Sequence, residues 1–328
     1  LLIGGNGEDV LSGHNDADTL LGGNGDDVLS GGKGTDVLEG GDGKDILLGG
    51  AGKDTLSYES SSAAVTVDLS EGTASGGHAT GDIYVSFENV LGSDFNDTLV
   101  GDSKDNVLSG ADGKDDLDGG AGNDRLNGGI GSDKAKGEAG NDRLVLGKGN
   151  DAGYGGDGDD YMDGVGGRDT LHGDAGDDTL LGGAGDDRIL GGDGADSILG
   201  GSGDDTLDGN AGHDTMSGGT GSDLMSGGAG KDQIAVAKGD TVFGGDDQDT
   251  FTLVDLGETG DAGIVIDGNE GGTDWDTLDL GGLIDRSTLD VTTTEDGTMS
   301  GTATLLDGSS LTFSNIEKII CFAAGTRI

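Results

Sequence analysis

A nine-residue beat, GGxGxDxUx with U a large aliphatic residue, constrains this chain more than any other feature. It runs as six units from Gly4 to Ser57 and as sixteen from Gly92 to Ala235. In the first block the sixth place holds Asp9, Asp18, Asp27, Asp36, Asp45 and Asp54. In the second it holds Asp97, then Asn106 as the single exception, then Asp115, Asp124, Asp133, Asp142, Asp151, Asp160, Asp169, Asp178, Asp187, Asp196, Asp205, Asp214, Asp223 and Asp232. Glycine at the first, second and fourth places permits positive φ, so the hexapeptide reads as a turn and the following x-U-x triplet as a short strand. Two units bring the chain back to its starting side, which makes a coil of eighteen residues. Coils stacked at the spacing of neighbouring strands, about 4.8 Å, then place the aspartates of units i and i+18 one above the other.

That stacking sets the chemistry. Carboxylates from consecutive coils, joined by turn carbonyls, make the oxygen-rich cage that Ca²⁺ takes; Mg²⁺ demands stricter octahedral geometry and keeps its waters. The balance of charge points the same way. With 17 basic and 65 acidic residues the chain carries −48, and self-repulsion on that scale opposes compaction unless counter-charge is held in place. If each ion needs aspartates two units apart, the two blocks hold at most about eighteen ions, which would bring the net charge to about −12. The expected consequence is a largely unfolded chain without calcium and a folded chain with it.

The same charge excludes nucleic acid and anionic membranes as main partners. Gly is 75 of 328 residues and Pro is absent, which suits closely spaced turns and strands that need every N–H, and is not collagen. One cysteine allows no internal disulfide, and no stretch reads as a membrane span or a signal peptide. The zinc helix HExxH, the elbow GxSxG, the loop GxxxxGK[ST] and the EF-hand loop are all missing. His14, His78, His172 and His213 read as isolated surface residues.

The repeat resembles that of the RTX family, over 198 residues. The resemblance implies an all-β chain built as a parallel β-roll solenoid in two blocks. It also implies secretion through type I (ABC-transporter) machinery, an extracellular location and folding coupled to external calcium. It implies no catalytic activity. The expected organisation is a first roll block over 1–57, a β interlude over 58–91, a second block over 92–243 and an antiparallel β cap over 244–320.

Departures from the beat are informative. His14 and Asp16 stand at glycine places, and Phe95 and Lys104 take the fourth place in units 92–109, which reads as an entry ramp. Ala135 and Gly153 replace the large U residue eighteen apart, so they should stack on one face. Either Leu146 or Tyr154 folds inward there, or the roll bends, or the lapse is harmless drift. The 34-residue interlude is not a multiple of nine and is expected to separate two stacks, with strands around Val65–Leu69 and Ile83–Phe87. Strands are expected in the cap near Thr250–Val254, Ile264–Asp267, Thr277–Leu280, Thr302–Leu306 and Ser310–Phe313, the last two joined by an Asp307-Gly308 hairpin turn. Phe87-Glu88-Asn89-Val90 and Ile316-Glu317-Lys318-Ile319 share a Φ-E-x-Φ pattern that suggests equivalent strands.

Both ends read as cut. Leu1-Leu2-Ile3 fit the end of a preceding unit, and residues 321–328, Cys321-Phe322-Ala323-Ala324-Gly325-Thr326-Arg327-Ile328, resemble the opening of a Hint (hedgehog/intein) autoprocessing domain. That resemblance makes Cys321 the nucleophile that attacks the Ile320 carbonyl. The base and oxyanion donors of such a domain do not occur in this sequence, so the chain as it stands is expected to have no enzyme activity. The leading reading is a calcium-binding module of a larger exported protein. A stiff extracellular or adhesive spacer and the tail of a secreted hydrolase remain alternatives.

Overall fold

The computed structural model describes residues 1–255, 257, 262–269 and 275–320; Cys321 and the rest of the 321–328 tail lie outside the described residues. Contacts divide the chain into two compact units, Leu1–Met162 and Asp163–Ile328. Among the described residues each is all-β apart from one 3₁₀ turn at Gly77–Ala79 in the first.

In the first unit, strands from alternate repeats pair in parallel at an offset of eighteen. Leu2–Asn6, Thr19–Asn24, Val37–Asp42 and Thr55–Ser57 form one face, with Leu2 opposite Leu20 and Thr19 opposite Val37. Val10–Asn15, Val28–Lys33 and Ile46–Ala51 form the other. A full strand has six residues because it takes in the last three places of one unit and the first three of the next, so U and the following first-place glycine both point inward. The facing U side chains make the core: Leu20, Leu29, Leu38, Leu47 and Leu56 are all fully buried. Each such leucine contributes roughly 1.5–3 kcal/mol by leaving water. At His14 and Asp16 the chain keeps the left-handed turn without glycine, with φ of 70° and 75°.

The interlude separates stacks on one face only, which corrects the expectation of a complete interruption. Asn89–Leu91 pairs in parallel with Thr55–Ser57 on one side and Val107–Asp112 on the other, so this face runs through in register. The reason is local: Val90 sits level with Leu56 and Leu108 as a U residue, and Glu88 stands where the sixth-place aspartate would be. On the opposite face Ile83–Val85 closes the first sheet against Ile46–Ala51. A new sheet opens there with Thr66–Asp68, paired in parallel with Thr98–Val100 and in antiparallel with an unforeseen strand, Thr73–Ser75.

The coil with the small U residues keeps its register, with Ala135 opposite Gly153. Leu146, at a first place otherwise given to glycine, is fully buried beside Leu144 on the strand Arg143–Lys148, whereas Tyr154 stays half-buried with Lys134 Nζ 6.0 Å from its ring centre. Of the two inward candidates, it is therefore Leu146 that turns in. Leu146→Ala is expected to cost about 2–5 kcal/mol, read as a lower urea midpoint in saturating calcium.

In the second unit the same parallel pairing runs from Thr170–Ala175 and Thr179–Ala184 onward, with Thr179 opposite Ser197 and Thr170 opposite Arg188. It continues further than expected. Thr241–Asp246, Thr250–Leu253, Ile264–Asp267, Thr277–Asp279 and Lys318–Ile320 are all parallel additions. Among the described residues of this unit the antiparallel region is confined to Ile284–Thr293, Met299–Leu305 and Ser310–Ile316, the last of which also pairs in parallel with Ile264–Asp267. The hairpin turn at Asp307-Gly308 forms as expected, with Gly308 at φ 97°. Ordinary strand sequence without the nonapeptide thus still follows the coil, because D-x-Φ recurs at Asp240, Asp249 and Asp276 and E-x-Φ at Glu317.

Candidate calcium columns

The sixth-place aspartates do not line a wet edge. Nineteen of the twenty-one, all but the half-buried Asp9 and Asp18, are at most 3 % exposed. In the regular coils one carboxylate oxygen, Oδ1, is held by the backbone: it accepts the N–H of the sixth-place residue one coil earlier. Asp27 Oδ1 accepts from Asp9 at 2.7 Å, Asp45 from Asp27 at 2.7 Å, Asp124 from Asn106 at 2.7 Å and Asp142 from Asp124 at 2.7 Å. The second unit repeats this, with Asp187, Asp205 and Asp223 accepting from Asp169, Asp187 and Asp205 at 2.8–2.9 Å. In fourteen of these aspartates the other oxygen has no such partner. Oδ2 of Asp9, Asp27, Asp36, Asp45, Asp54, Asp115, Asp124, Asp133, Asp142, Asp187, Asp196, Asp205, Asp214 and Asp232 is buried and accepts no hydrogen bond. A buried carboxylate oxygen without a donor costs several kcal/mol unless a cation meets it.

The space around that oxygen is kept open by the first-place glycine. A Cβ added to Gly182 would lie 2.5 Å from Asp187 Oδ2 and 2.6 Å from the Gly200 carbonyl oxygen of the next coil. The same two kinds of oxygen crowd the same point at Gly4, Gly13 and Gly164. Carboxylate and carbonyl oxygens therefore converge where only glycine leaves room. Among the described residues no three His, Cys, Asp or Glu side chains gather, so main-chain oxygens must complete any cage. This donor set is hard, oxygen-only and anionic, and it fits calcium.

Electrostatics agree. Burial pushes Asp115, Asp124, Asp205 and Asp214 up to about 7, and Asp45 and Asp151 up to about 6, against the pull of the N–H each accepts. Neighbouring carboxylates add to the rise. A divalent cation reverses that logic by favouring the charged form.

Several column members escaped the nonapeptide reading. Asp45 donates its N–H to Asp82 Oδ1 (2.9 Å), Asp54 to Glu88 Oε2 (3.2 Å), Asp223 to Asp240 (3.2 Å), Asp232 to Asp249 (2.9 Å), Asp249 to Asp276 (2.8 Å) and Asp276 to Glu317 (2.8 Å). The signal that finds them is the acidic residue two places before an inward apolar one. A second, exposed ladder was also missed: at the fifth place, Asp26, Asn96, Asn123, Asp177 and Asp204 accept the N–H of the residue one coil later. Two histidines are less isolated than expected. His78 Nε2 lies 3.1 Å from Asp42 Oδ1, and His213 Nδ1 accepts the Lys231 N–H at 2.8 Å.

The family model for the RTX calcium-binding nonapeptide repeat matches residues 1–29, 21–56, 91–126, 118–152, 127–162, 154–189, 163–198 and 199–234, more than half of the chain. The chain belongs to this calcium-binding family, and its parallel β-solenoid is the fold expected of it. A comparison with curated proteins found no match. Among the described residues no helix is long and apolar enough to cross a membrane.

The glycine cradle yields a direct test. Gly182→Ala is expected to raise the calcium concentration needed for folding, at a cost of about 1–3 kcal/mol from overpacking, as read from a calcium titration by circular dichroism. An unchanged midpoint would mean the space over Gly182 holds no ion.

Proposed function

We propose that the chain is a calcium-triggered folding module of an exported protein, with the sixth-place aspartates from Asp9 to Asp232 as its ligands, apart from Asp97, whose Oδ2 already accepts the Ser93 N–H. The observation that carries this is the run of buried Oδ2 atoms without donors, repeated coil after coil beside a glycine-lined gap. Such a column is poorly stable without cations and well satisfied with them, so folding follows the calcium level around the chain. Export through the type I route accords with this, since low internal calcium keeps a chain unfolded and external calcium folds it. The measurement is the calcium midpoint of folding. It is expected at about 10⁻⁴–10⁻³ M, as for extracellular modules. A submicromolar midpoint would have the chain fold inside the cell and would overturn the export reading.

A second element of the reading concerns Cys321. The Cys-Phe-Ala-Ala-Gly-Thr run after the strand Lys318–Ile320 resembles a Hint start. In that reading the Cys321 thiolate attacks the Ile320 carbonyl, and the amide becomes a thioester with the chain's own Cys321 nitrogen as leaving group. Hydrolysis of that thioester by water, with the Cys321 thiol as leaving group, is expected to break the full-length gene product at Ile320–Cys321, and C321A to remain whole on a denaturing gel. Equal cleavage of both would discard it.

A further inference from the structure

Not every turn leaves its carboxylate waiting. In the unit that starts at Gly92, Asp97 Oδ2 accepts the Ser93 N–H at 2.5 Å and the Ser93 hydroxyl at 3.1 Å, while Oδ1 accepts the Val65 N–H at 2.7 Å. In the next unit the side-chain oxygen of Asn106 accepts the Asp102 N–H at 2.7 Å, and its amide donates to the Glu88 carbonyl at 2.8 Å. The shortened turn before Asp240 repeats the device, with the Ala237 N–H 2.7 Å from Asp240 Oδ2. In all three the second residue of the turn is not glycine, does not take positive φ, and turns its N–H towards the oxygen that lacks a donor elsewhere. Asp82 gains a donor differently, from the Tyr58 hydroxyl at 3.2 Å.

Asp82, Asp97 and Asn106 lie together around the interlude, which also has what the repeats lack, an aromatic core. Tyr58 is fully buried, Tyr84 and Phe87 are nearly so, and the rings of the latter two meet edge-on at 6.3 Å. Val65, Val67, Val90 and Leu99 are buried with them. The Tyr84 hydroxyl donates to the Asp68 and Thr73 carbonyls, tying the antiparallel pair to the sheet.

We propose that residues 58–106 form a calcium-independent joint, in which the chain's own N–H and O–H donors take the place that calcium holds in the regular coils. The proposal rests on the calcium reading above and assigns within it which coil junctions bind no ion through the sixth-place side chain. It divides the calcium sites of the first unit into two groups, before and after the joint. Each group can then start its stacking on a surface that is already folded, so the costly first coil need not be nucleated by metal.

Two measurements on the full chain test it. Hydrogen exchange in excess EGTA is expected to leave the amides of 65–67 and 98–100, which pair within the joint, protected at least tenfold more than those of 19–24 and 179–184. In calcium all of them become protected. If the joint exchanges as fast as the repeats in EGTA and gains protection only with calcium, the joint is overturned while the calcium reading stands. If calcium changes protection nowhere, both fall. The second measurement is calcium bound per chain, by elemental analysis after dialysis. Asp205→Asn is expected to lower it and Asp97→Asn to leave it unchanged. An equal loss in Asp97→Asn would show that Asp97 is a ligand and overturn the assignment.

Discussion

Chelation of calcium by EGTA is expected to abolish most of the β signal in far-ultraviolet circular dichroism, and readdition of calcium is expected to restore it. The reason lies in what the coils contain. Their core is one aliphatic residue per nine, and aromatic side chains are 3 % of the sequence. At least fourteen buried carboxylate oxygens have no donor, and each sits near others of like charge in a chain of −48. At free calcium about tenfold above its Kd, each occupied site adds about 1.4 kcal/mol, and a dozen such sites about 17 kcal/mol. That exceeds the whole stability of a typical domain, about 5–15 kcal/mol. Retention of the full signal in EGTA would show that the columns are satisfied without metal.

Acid should partly replace calcium. Burial raises the folded-state pKa of Asp115, Asp124, Asp205 and Asp214 to about 7, above the ordinary carboxylate value near 3.8. A carboxylate raised in the fold binds its proton more tightly there than in the unfolded chain. Its contribution is therefore fully present below about pH 4 and is lost as pH rises towards 7. In EGTA the chain is expected to gain compactness on acidification from pH 7 to pH 4, and to lose it on return. Calcium binding has the opposite dependence. Ions must displace those protons, so the calcium midpoint is expected to rise steeply as pH falls from 7.5 to 5.5, with protons released on binding. Titrations in two buffers of different ionisation enthalpy, followed by calorimetry, count those protons directly. A midpoint that does not move over this range would contradict the buried, proton-holding carboxylates.

Much of this was legible in the sequence because the period and the register are the same fact. A leucine and an aspartate recurring every nine residues can stack only at an offset of eighteen, and Leu20 does lie opposite Leu38 and Leu126 opposite Leu144. The burial of the aspartates was not legible, since spacing says which residues align but not whether a neighbouring N–H draws them inward. The path of the interlude was missed for a related reason. Its length argued for a break, yet Glu88 and Val90 re-enter the stack two places apart, and that spacing decides the register. Leu146 shows the converse: a residue that breaks the motif at a glycine place is fully buried in the interior, between the repeats whose U places hold Ala135 and Gly153. The closed turns at Ser93 and Ala237 depend on backbone conformation, which a residue pattern carries only weakly.

The direction of the Oδ1 hydrogen bonds has a consequence in time. Where these bonds form, a sixth-place N–H is closed by a carboxylate further along the chain, eighteen residues on in the regular coils, as Asp9 is by Asp27 and Asp196 by Asp214, and at a longer reach for Asp276 by Glu317. At the sixth place a coil is therefore completed by its C-terminal neighbour. A chain that emerges from a ribosome or a pore with its N-terminus first must wait, at every step, for one more coil of sequence. Eighteen residues of extended chain span about 60 Å, so an unfolded leash of roughly that reach always trails the last finished coil.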